Sequence, residues 1–144
     1  MGKKYWLAPF SEKTWSVFLQ NGAKIYGTKK NKEKKANQIS IGDRFICYVT
    51  GESKFVGIFE TTSKTYLDES PIWENDNYPV RFRVELVIRL SIDNGVDVKS
   101  LRESLSIFLK LKNPNRWTGF FQNTLALFTQ EDAEIILGAI KKKC

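Results

Sequence analysis

The sequence predicts one α+β domain, covering residues 1–144, in which a small, mostly antiparallel sheet curls into a barrel. Two apolar strands at 44–50 and 54–62 flank the tight-turn sequence Gly-Glu-Ser, and their continuous hydrophobicity indicates burial on both faces. Residues 80–90 alternate apolar and polar side chains, which is typical of a strand with one buried face. Strands come early and helices late, so there is no β-α-β succession. A chain of 144 residues suits a single hydrophobic core.

The N-terminal third is predicted as strand, helix and loop. The first strand, at 4–8, ends before Pro9, because proline cannot donate a hydrogen bond to a sheet. Ser11 is a favourable N-cap for a helix over 12–21, whose apolar residues recur at the helical spacing. The lysine-rich stretch 23–41 then reads as a solvated basic loop.

The C-terminal half is predicted to be helical after a turn at 93–97. Ser100 is placed to cap one helix, and Thr129 to cap a last helix. That last helix carries acids in its first turn and lysines at its end, as the helix dipole favours. Between the strands, residues 63–79 are too polar and too interrupted by proline for regular structure.

Composition excludes several classes of function. The chain contains no histidine, which removes Ser-His-Asp and Cys-His nucleophiles and histidine-bearing zinc sites. Cys47 and Cys144 lack metal or redox spacing, and Cys47 is expected to be a small buried hydrophobe. No apolar run approaches the roughly 18 residues of a membrane span, and no signal peptide is recognised, so we expect a cytoplasmic protein without membrane contact.

Positive charge is concentrated near the first helix. The net charge is +7, and Glu33 is the only acid among the lysines Lys24, Lys29, Lys30, Lys32, Lys34 and Lys35. Such a cluster can neutralise nucleic-acid phosphates, or it can be an ordinary solvated loop. Tyr26 at the loop entrance and Trp73 in a polar loop offer flat stacking surfaces, although either can instead be an aromatic at the edge of the core.

Other candidates are weaker. Gly57 interrupts a bulky strand, so either a ligand or a neighbouring backbone comes close there, and a bulge in the barrel explains the glycine equally well. The aromatic stretch 116–121 is expected to be mostly core. Four acids crowd one loop and favour a magnesium-dependent nuclease as an alternative function: Asp68, Glu69, Glu74 and Asp76.

A series of short segments, in order along the chain, resembles one known family. The seven segments are KYWL, YGTKKNK, ISIGDRFICYV, FVGIFETTSKTYLD, YPVRFRVEL, NRWTGFF and EDAEIIL. Over essentially its whole length the chain resembles the EVE domain of the PUA-like superfamily, most of all the small stand-alone bacterial and archaeal EVE proteins. The resemblance implies a PUA-like, mixed but mostly antiparallel β pseudobarrel with flanking helices. It also implies a pocket for one, often modified, nucleobase. EVE domains are similar to YTH domains, which hold the methyl group of N6-methyladenine in an aromatic cage.

The resemblance also suggests site residues. Tyr26 and Trp73 match two cage tryptophans of the YTH relatives, with Tyr26 standing where EVE members typically carry tryptophan. The segment after the first strand reads Ala-Pro-Phe-Ser, which leaves Ser11 and backbone groups to recognise the base edge. The expected base pocket comprises Tyr26, Trp73, Ser11, Gly27, Tyr78 and Pro79. The expected phosphate contacts are Lys29, Lys30, Lys32, Lys34 and Arg81.

The function expected from these observations is non-catalytic binding of nucleic acid. The partner is DNA or RNA, single-stranded or with a flipped base, and a modified base occupies the aromatic pocket. No cofactor and no metal are expected. The alternatives are a metal-dependent nuclease or other nucleic-acid-processing enzyme, and a module that binds a small molecule or a protein. The sequence leaves the oligomeric state open.

Overall fold

A strongly curled sheet carries the fold. The computed structural model describes residues 3–73, 77–109 and 118–144. Within these ranges the strands are β1 (Tyr5–Phe10), β2 (Ile25–Thr28), β3 (Arg44–Val49), β4 (Lys54–Thr61), β5 (Tyr66–Leu67), β6 (Val80–Arg89) and β7 (Val96–Asp97). The helices are α1 (Glu12–Gln20), α2 (Glu33–Ala36), α3 (Ser106–Leu109), α4 (Thr118–Phe121) and α5 (Gln130–Lys142), with 3₁₀ turns at Lys30–Lys32 and Val98–Leu101. Across the described residues, no helix combines the length and the apolar character needed to cross a bilayer.

The sheet is mixed and mostly antiparallel, which confirms the predicted class. Its hydrogen-bonded order is β1-β3-β4-β6-β2, with β5 added to β6 and β7 added to β4. The β1–β3 pair is parallel, and the other pairs in the described ranges are antiparallel. β1 and β2 therefore form the two ends of the path. The curl brings these ends together through side chains, with the rings of Phe10 and Tyr26 5.4 Å apart and edge to face.

Strands β3 and β4 are buried on both faces, as their continuous hydrophobicity predicted. On the inner face, Phe45 and Phe59 stack with ring centroids 4.8 Å apart, in the same cluster as the aromatics of α1. On the outer face, Ile46 and Ile58 pack in a second cluster with Ile136 of α5. Two covered faces explain why these strands lack the apolar–polar alternation of β6.

The lysine-rich stretch differs from the predicted loop. Residues 25–28 form β2, paired with β6, and a 3₁₀ turn followed by α2 continues to residue 36. Ala36 and Ile39 are buried in the inner cluster and anchor this short helical segment. Because only a few apolar residues lie among the lysines, composition hides the regular structure that tertiary contacts stabilise.

Three smaller differences concern element ends. β1 continues through Pro9 to Phe10. A proline is tolerated here because β1 lies at the end of the strand order, and the backbone nitrogen of Pro9 faces away from the neighbouring strand β3, where no hydrogen-bond donor is required. Residues 96–97 form β7 instead of remaining in a turn, and residues 66–67 form β5 within the predicted loop. The helix expected from Ser100 is replaced by a 3₁₀ turn whose N-cap is Asp97, with α3 starting only at residue 106. α1 and α5 begin at their predicted caps, Ser11 and Thr129.

Gly57 marks a close approach of two backbones. A Cβ atom at this position would collide with the carbonyl oxygen of Ile88 on the neighbouring strand. The register of β4 against β6 shifts at the next residues, between Ile58 and Phe59. The choice left open by the sequence is therefore decided in favour of a neighbouring strand and a bulge.

Asp43 ties the start of β3 to β1. This side chain is 6% exposed, and its carboxylate accepts hydrogen bonds from the indole nitrogen of Trp6 at 3.0 Å and from the amides of Ser40 at 3.0 Å and Lys4 at 3.3 Å. Three donors from two separate segments thus converge on one carboxylate. A buried carboxylate is stable only when such donors replace its lost hydration.

We predict that Asp43→Ala lowers the free energy of unfolding by about 2–3 kcal/mol, because it leaves the Trp6 indole and two amides without an acceptor. Urea unfolding followed by circular dichroism measures this change. Asp93→Ala is the matched control at an exposed position and should alter stability by less than about 0.5 kcal/mol. Equal stability of the two variants would contradict the role assigned to Asp43.

Candidate functional site

A cavity of about 310 Å³ lies where the two ends of the sheet meet. Its lining comes from the end of β1, helix α1, all of β2, the 3₁₀ turn after β2, the loop before β6 and the segment after α4. The lining residues are Pro9, Phe10, Thr14, Phe18, Ile25, Tyr26, Gly27, Thr28, Lys29, Asn31, Lys32, Trp73, Tyr78, Gln122 and Thr124. The volume falls in the range of sites that take one small ligand.

Tyr26 forms the floor of this cavity. It is 4% exposed, and its ring packs against Phe10, Phe45 and Phe59 with centroids 5.4–5.6 Å away. Burial raises the pKa of the Tyr26 hydroxyl far above its ordinary value. The phenol is therefore neutral at any physiological pH, and the floor of the cavity is an uncharged aromatic surface.

Trp73 packs against Gly27 on the face of β2 opposite to the one that carries the Tyr26 ring. A methyl group built on Gly27 would lie 2.5 Å from Cη2 of Trp73 and 3.0 Å from both Cβ and the carbonyl oxygen of Tyr78. The indole of Trp73 and the ring of Tyr78 meet edge to face with centroids 4.9 Å apart. The missing side chain of Gly27 thus makes the space into which these two aromatics fold at the mouth of the cavity.

The backbone of β2 presents polar groups to the cavity. The amide of Val84 on β6 donates to the carbonyl of Lys24 at 2.9 Å, so Lys24 and Val84 form a hydrogen-bonded pair. The next pairs along the two strands run from Ile25 opposite Arg83 to Thr28 opposite Val80. In an antiparallel pair, hydrogen-bonded and non-hydrogen-bonded positions alternate. The amides and carbonyls of Ile25 and Gly27 therefore point away from β6, toward the gap between the sheet ends.

Arg81, which was expected at the surface in contact with phosphates, is buried. It is 1% exposed, and its guanidinium donates to the carbonyl of Tyr78, to the hydroxyl of Ser70 and to the carbonyl of Ser70. The loop after β5 covers this side chain completely. We therefore correct the expectation that Arg81 contacts phosphates, because a buried guanidinium with its donors engaged cannot reach a nucleic-acid backbone.

The predicted phosphate-binding lysines divide into two groups. Lys29 and Lys32 line the cavity, and Nζ of Lys32 lies 3.3 Å from Oδ1 of Asn123. Lys30 instead lines a neighbouring depression, and its ammonium forms a 2.7 Å ion pair with Glu33. Lys34 is exposed and lines neither cavity.

Ser11 and Pro79 lie outside the cavity lining. The hydroxyl of Ser11 accepts from the amide of Thr14 and caps α1, so we correct its expected role as a base-edge contact. Pro79 lies in the neighbouring depression with Lys30, while its neighbour Tyr78 lines the main cavity.

Sequence reasoning missed several polar groups around the cavity. Gln122 and Thr124 follow α4, about a hundred residues from β2, and Asn31 lies in the 3₁₀ turn. The only sequence feature that could have indicated them is the polar triplet Gln-Asn-Thr at 122–124, which lies between Phe121 and Leu125. These side chains add amide and hydroxyl groups to the lining of the cavity.

The acidic loop does not assemble a metal site in the residues that the structure describes. Within these ranges, no three histidine, cysteine or carboxylate side chains come close enough to hold a metal ion. Glu74 and Asp76 lie outside the described residues, as do Arg116 and Trp117 of the predicted aromatic core. Hydrogen bonds from the amide and hydroxyl of Ser70, together with the charge of Arg81, hold the pKa of Asp68 below its ordinary value.

Several solved structures that share the fold are YTH domains. The Pho92 YTH domain in complex with m6A aligns with a TM-score of 0.71 at 18% identity, covering 96% of this chain and 84% of that one. The YTH domain of Zygosaccharomyces rouxii MRB1, in complex with N6-methyladenosine RNA, aligns with a TM-score of 0.71 at 16% identity, covering 96% and 87%. At these identities the likeness establishes the fold, which is the curled mixed sheet with flanking helices of the PUA-like type.

Sequence relatives are archaeal proteins of similar length. A UPF0310 protein of Pyrococcus horikoshii is 26% identical over 147 aligned residues, which cover 92% of this chain and 95% of the relative. A UPF0310 protein of Saccharolobus solfataricus is 34% identical over 96 residues, covering 58% and 61%. The EVE domain family model matches residues 4–137. This match spans nearly the whole sequence, from β1 into α5, and shows that the chain belongs to the EVE domain family.

Proposed function

We propose that this protein binds nucleic acid without catalysis and holds one modified nucleobase in the cavity between β1 and β2. The observation that carries the proposal is the position of Trp73 over Gly27, at the mouth of a cavity flanked by Lys29 and Lys32. A flat aromatic surface and two cations at one opening suit a base attached to a phosphate chain.

The cavity offers the interactions that a base requires. Trp73 and Tyr78 supply flat apolar surface, and the neutral Tyr26 floor accepts an uncharged ring or methyl group. The outward amides and carbonyls of Ile25 and Gly27 can pair with donors and acceptors on the base edge. The amides of Gln122 and Asn31 supply both donors and acceptors at the rim, as side chains that recognise bases commonly do.

The charge distribution supports a nucleic-acid ligand over an isolated nucleoside. Lys29 and Lys32 stand at the cavity, and Lys30 and Lys34 lie on the same short segment. Cations beside an aromatic pocket let the flanking phosphates bind while one base is inserted. The YTH domains that share the fold were solved with m6A and with N6-methyladenosine RNA, which supports the same class of ligand here.

The experiment that tests the proposal measures fluorescence anisotropy of labelled single-stranded oligonucleotides, in DNA and RNA form. Each modified oligonucleotide, starting with N6-methyladenine, is compared with its unmodified counterpart at two salt concentrations. Tighter binding of one modified oligonucleotide, retained at the higher salt, is the expected result. Equal and salt-sensitive binding of all oligonucleotides would reduce the site to a basic surface, and metal-dependent cleavage would favour the nuclease alternative.

We predict that Trp73→Ala weakens binding of the preferred modified oligonucleotide by about 1–3 kcal/mol, because it removes the stacking surface. Affinity for the unmodified counterpart should change much less. Tyr5→Ala is the matched control, since Tyr5 is a half-buried aromatic outside the cavity lining. If Trp73→Ala and Tyr5→Ala bind the modified oligonucleotide equally well, the assignment of Trp73 is wrong.

We predict that Lys29→Ala and Lys32→Ala each reduce the slope of log K against log salt by about 0.7, the value for one phosphate contact on a single strand. Discrimination between modified and unmodified oligonucleotides should be retained, since the phosphate is common to both. Salt titrations from low to physiological ionic strength provide the slopes. Lys141→Ala, an exposed change on α5 outside the cavity lining, is the charge-matched control. A Lys141→Ala slope that falls as far as the other two would contradict local phosphate contacts.

A further inference from the structure

Arg81 is a buried charge whose position is unusual for its strand. It stands on β6 in a row across the sheet, between Tyr66 on β5 and Gly27 on β2. The next residue on the same face, Arg83, is exposed and lies over the ring of Tyr66. Of these two neighbouring arginines, Arg81 is thus covered, while Arg83 remains in solvent. A covered guanidinium loses hydration and must have partners that replace it.

The partners of Arg81 all lie in the loop that carries Trp73. Nε donates to the carbonyl of Tyr78 at 3.0 Å, Nη1 donates to the Ser70 hydroxyl at 2.9 Å, and Nη2 donates to the Ser70 carbonyl. Nη1 also lies 3.5 Å from the carboxylate of Asp68. The carboxylate of Asp68 in turn accepts a hydrogen bond from the amide of Ser70 at 2.8 Å, and the backbone amide of Asp68 donates to the carbonyl of Pro79. One side chain therefore fixes both ends of the loop.

Arg81 also contacts the indole itself. Its Cζ atom lies 5.3 Å from the centroid of the Trp73 ring, within the distance of a cation–π interaction. The edge of the same indole reaches Gly27, so Trp73 is held between the guanidinium and the strand that lines the cavity. No other charged group is in cation–π contact with Trp73 in the described part of the chain.

We propose that Arg81 is a positioning residue that holds Trp73 at the mouth of the cavity in the free protein. Its role in ligand binding rests on the proposed function, whereas its effect on Trp73 does not. The guanidinium fork is suited to this task because it offers several donors in one plane to both loop ends, while its charge lies over the indole. Lysine at this position retains the charge but loses the planar set of donors.

The first arm of the test needs no ligand. The protein is labelled with 5-fluorotryptophan, and the ¹⁹F signal of Trp73 is assigned by its loss in Trp73→Phe. Arg81→Lys and Ser70→Ala should move the Trp73 signal toward the solvent-exposed position and increase its solvent isotope shift. The signals of Trp6 and Trp15, which are buried in the inner cluster, should stay in place and report an intact fold. Arg83→Lys is the matched control and should leave the Trp73 signal unchanged.

The second arm is a double-mutant cycle on oligonucleotide affinity. Arg81→Lys should weaken binding of the preferred modified oligonucleotide about fivefold or more, with no change in the salt slope. In the Trp73→Ala background, the same change should have almost no effect, because a residue that acts through Trp73 has nothing left to position.

Separate outcomes overturn the proposal and the proposed function. An unchanged Trp73 signal in folded Arg81→Lys and Ser70→Ala overturns the positioning role, as does an Arg81 effect that persists fully in the Trp73→Ala background. A salt slope reduced by about 0.7 would return Arg81 to phosphate contact. If the wild-type protein does not distinguish modified from unmodified oligonucleotides, the proposed function fails while the ligand-free arm still decides the role of Arg81. Should Arg81→Lys fail to fold, Ser70→Ala together with Asp68→Asn decides it.

Discussion

The sheet curls strongly but does not close, and the position of the candidate site follows from this incomplete closure. The strand order starts at β1 and ends at β2, and these two edges meet through the Phe10–Tyr26 contact instead of a ladder. The outer edge of β1 is hydrogen-bonded at Tyr5 and Leu7 to residues 125–128, so the open stretch of this edge begins only after Leu7. Open edge positions there and at Ile25 and Gly27 of β2 leave backbone amides and carbonyls available to a ligand. Helix α1 covers part of this gap, and the remainder is the cavity. The candidate site is thus a consequence of the topology, and the side chains around it determine which ligand fits.

The loop between β5 and β6 converts that gap into a defined pocket. It is a long connection with little regular structure, so its position must come from contacts with the sheet. Arg81 provides these contacts from strand β6, and Gly27 on β2 leaves the space that Trp73 fills. Two residues that face each other across one strand pair therefore determine where a single indole lies. Neither contributes a side chain to the ligand contacts, since Gly27 has none and that of Arg81 is buried.

The parts of the fold that were predictable carry their signal locally. β6 alternates, β3 and β4 are continuously apolar, and α1 and α5 have capped amphipathic patterns, so each is encoded within about ten residues. β2 and α2 were missed because their stabilisation comes from β6 and from the inner cluster, which composition does not reveal. At the site, Trp73 and Tyr78 were placed by family resemblance. Arg81 was misplaced because strand alternation predicts its face but not the loop that covers it, and Gln122 was missed because it arrives from a distant segment.

Backbone amide chemical shifts can show whether a base enters the gap beside β2. The measurement is a ¹H–¹⁵N titration with the modified oligonucleotide that binds most tightly, compared with its unmodified counterpart. Insertion of a base there predicts that the amides of Ile25 and Gly27 and the indole N–H of Trp73 shift together and saturably, and much more with the modified strand. Shifts confined to the lysines of residues 29–35, identical for both oligonucleotides and with Gly27 unmoved, would contradict it.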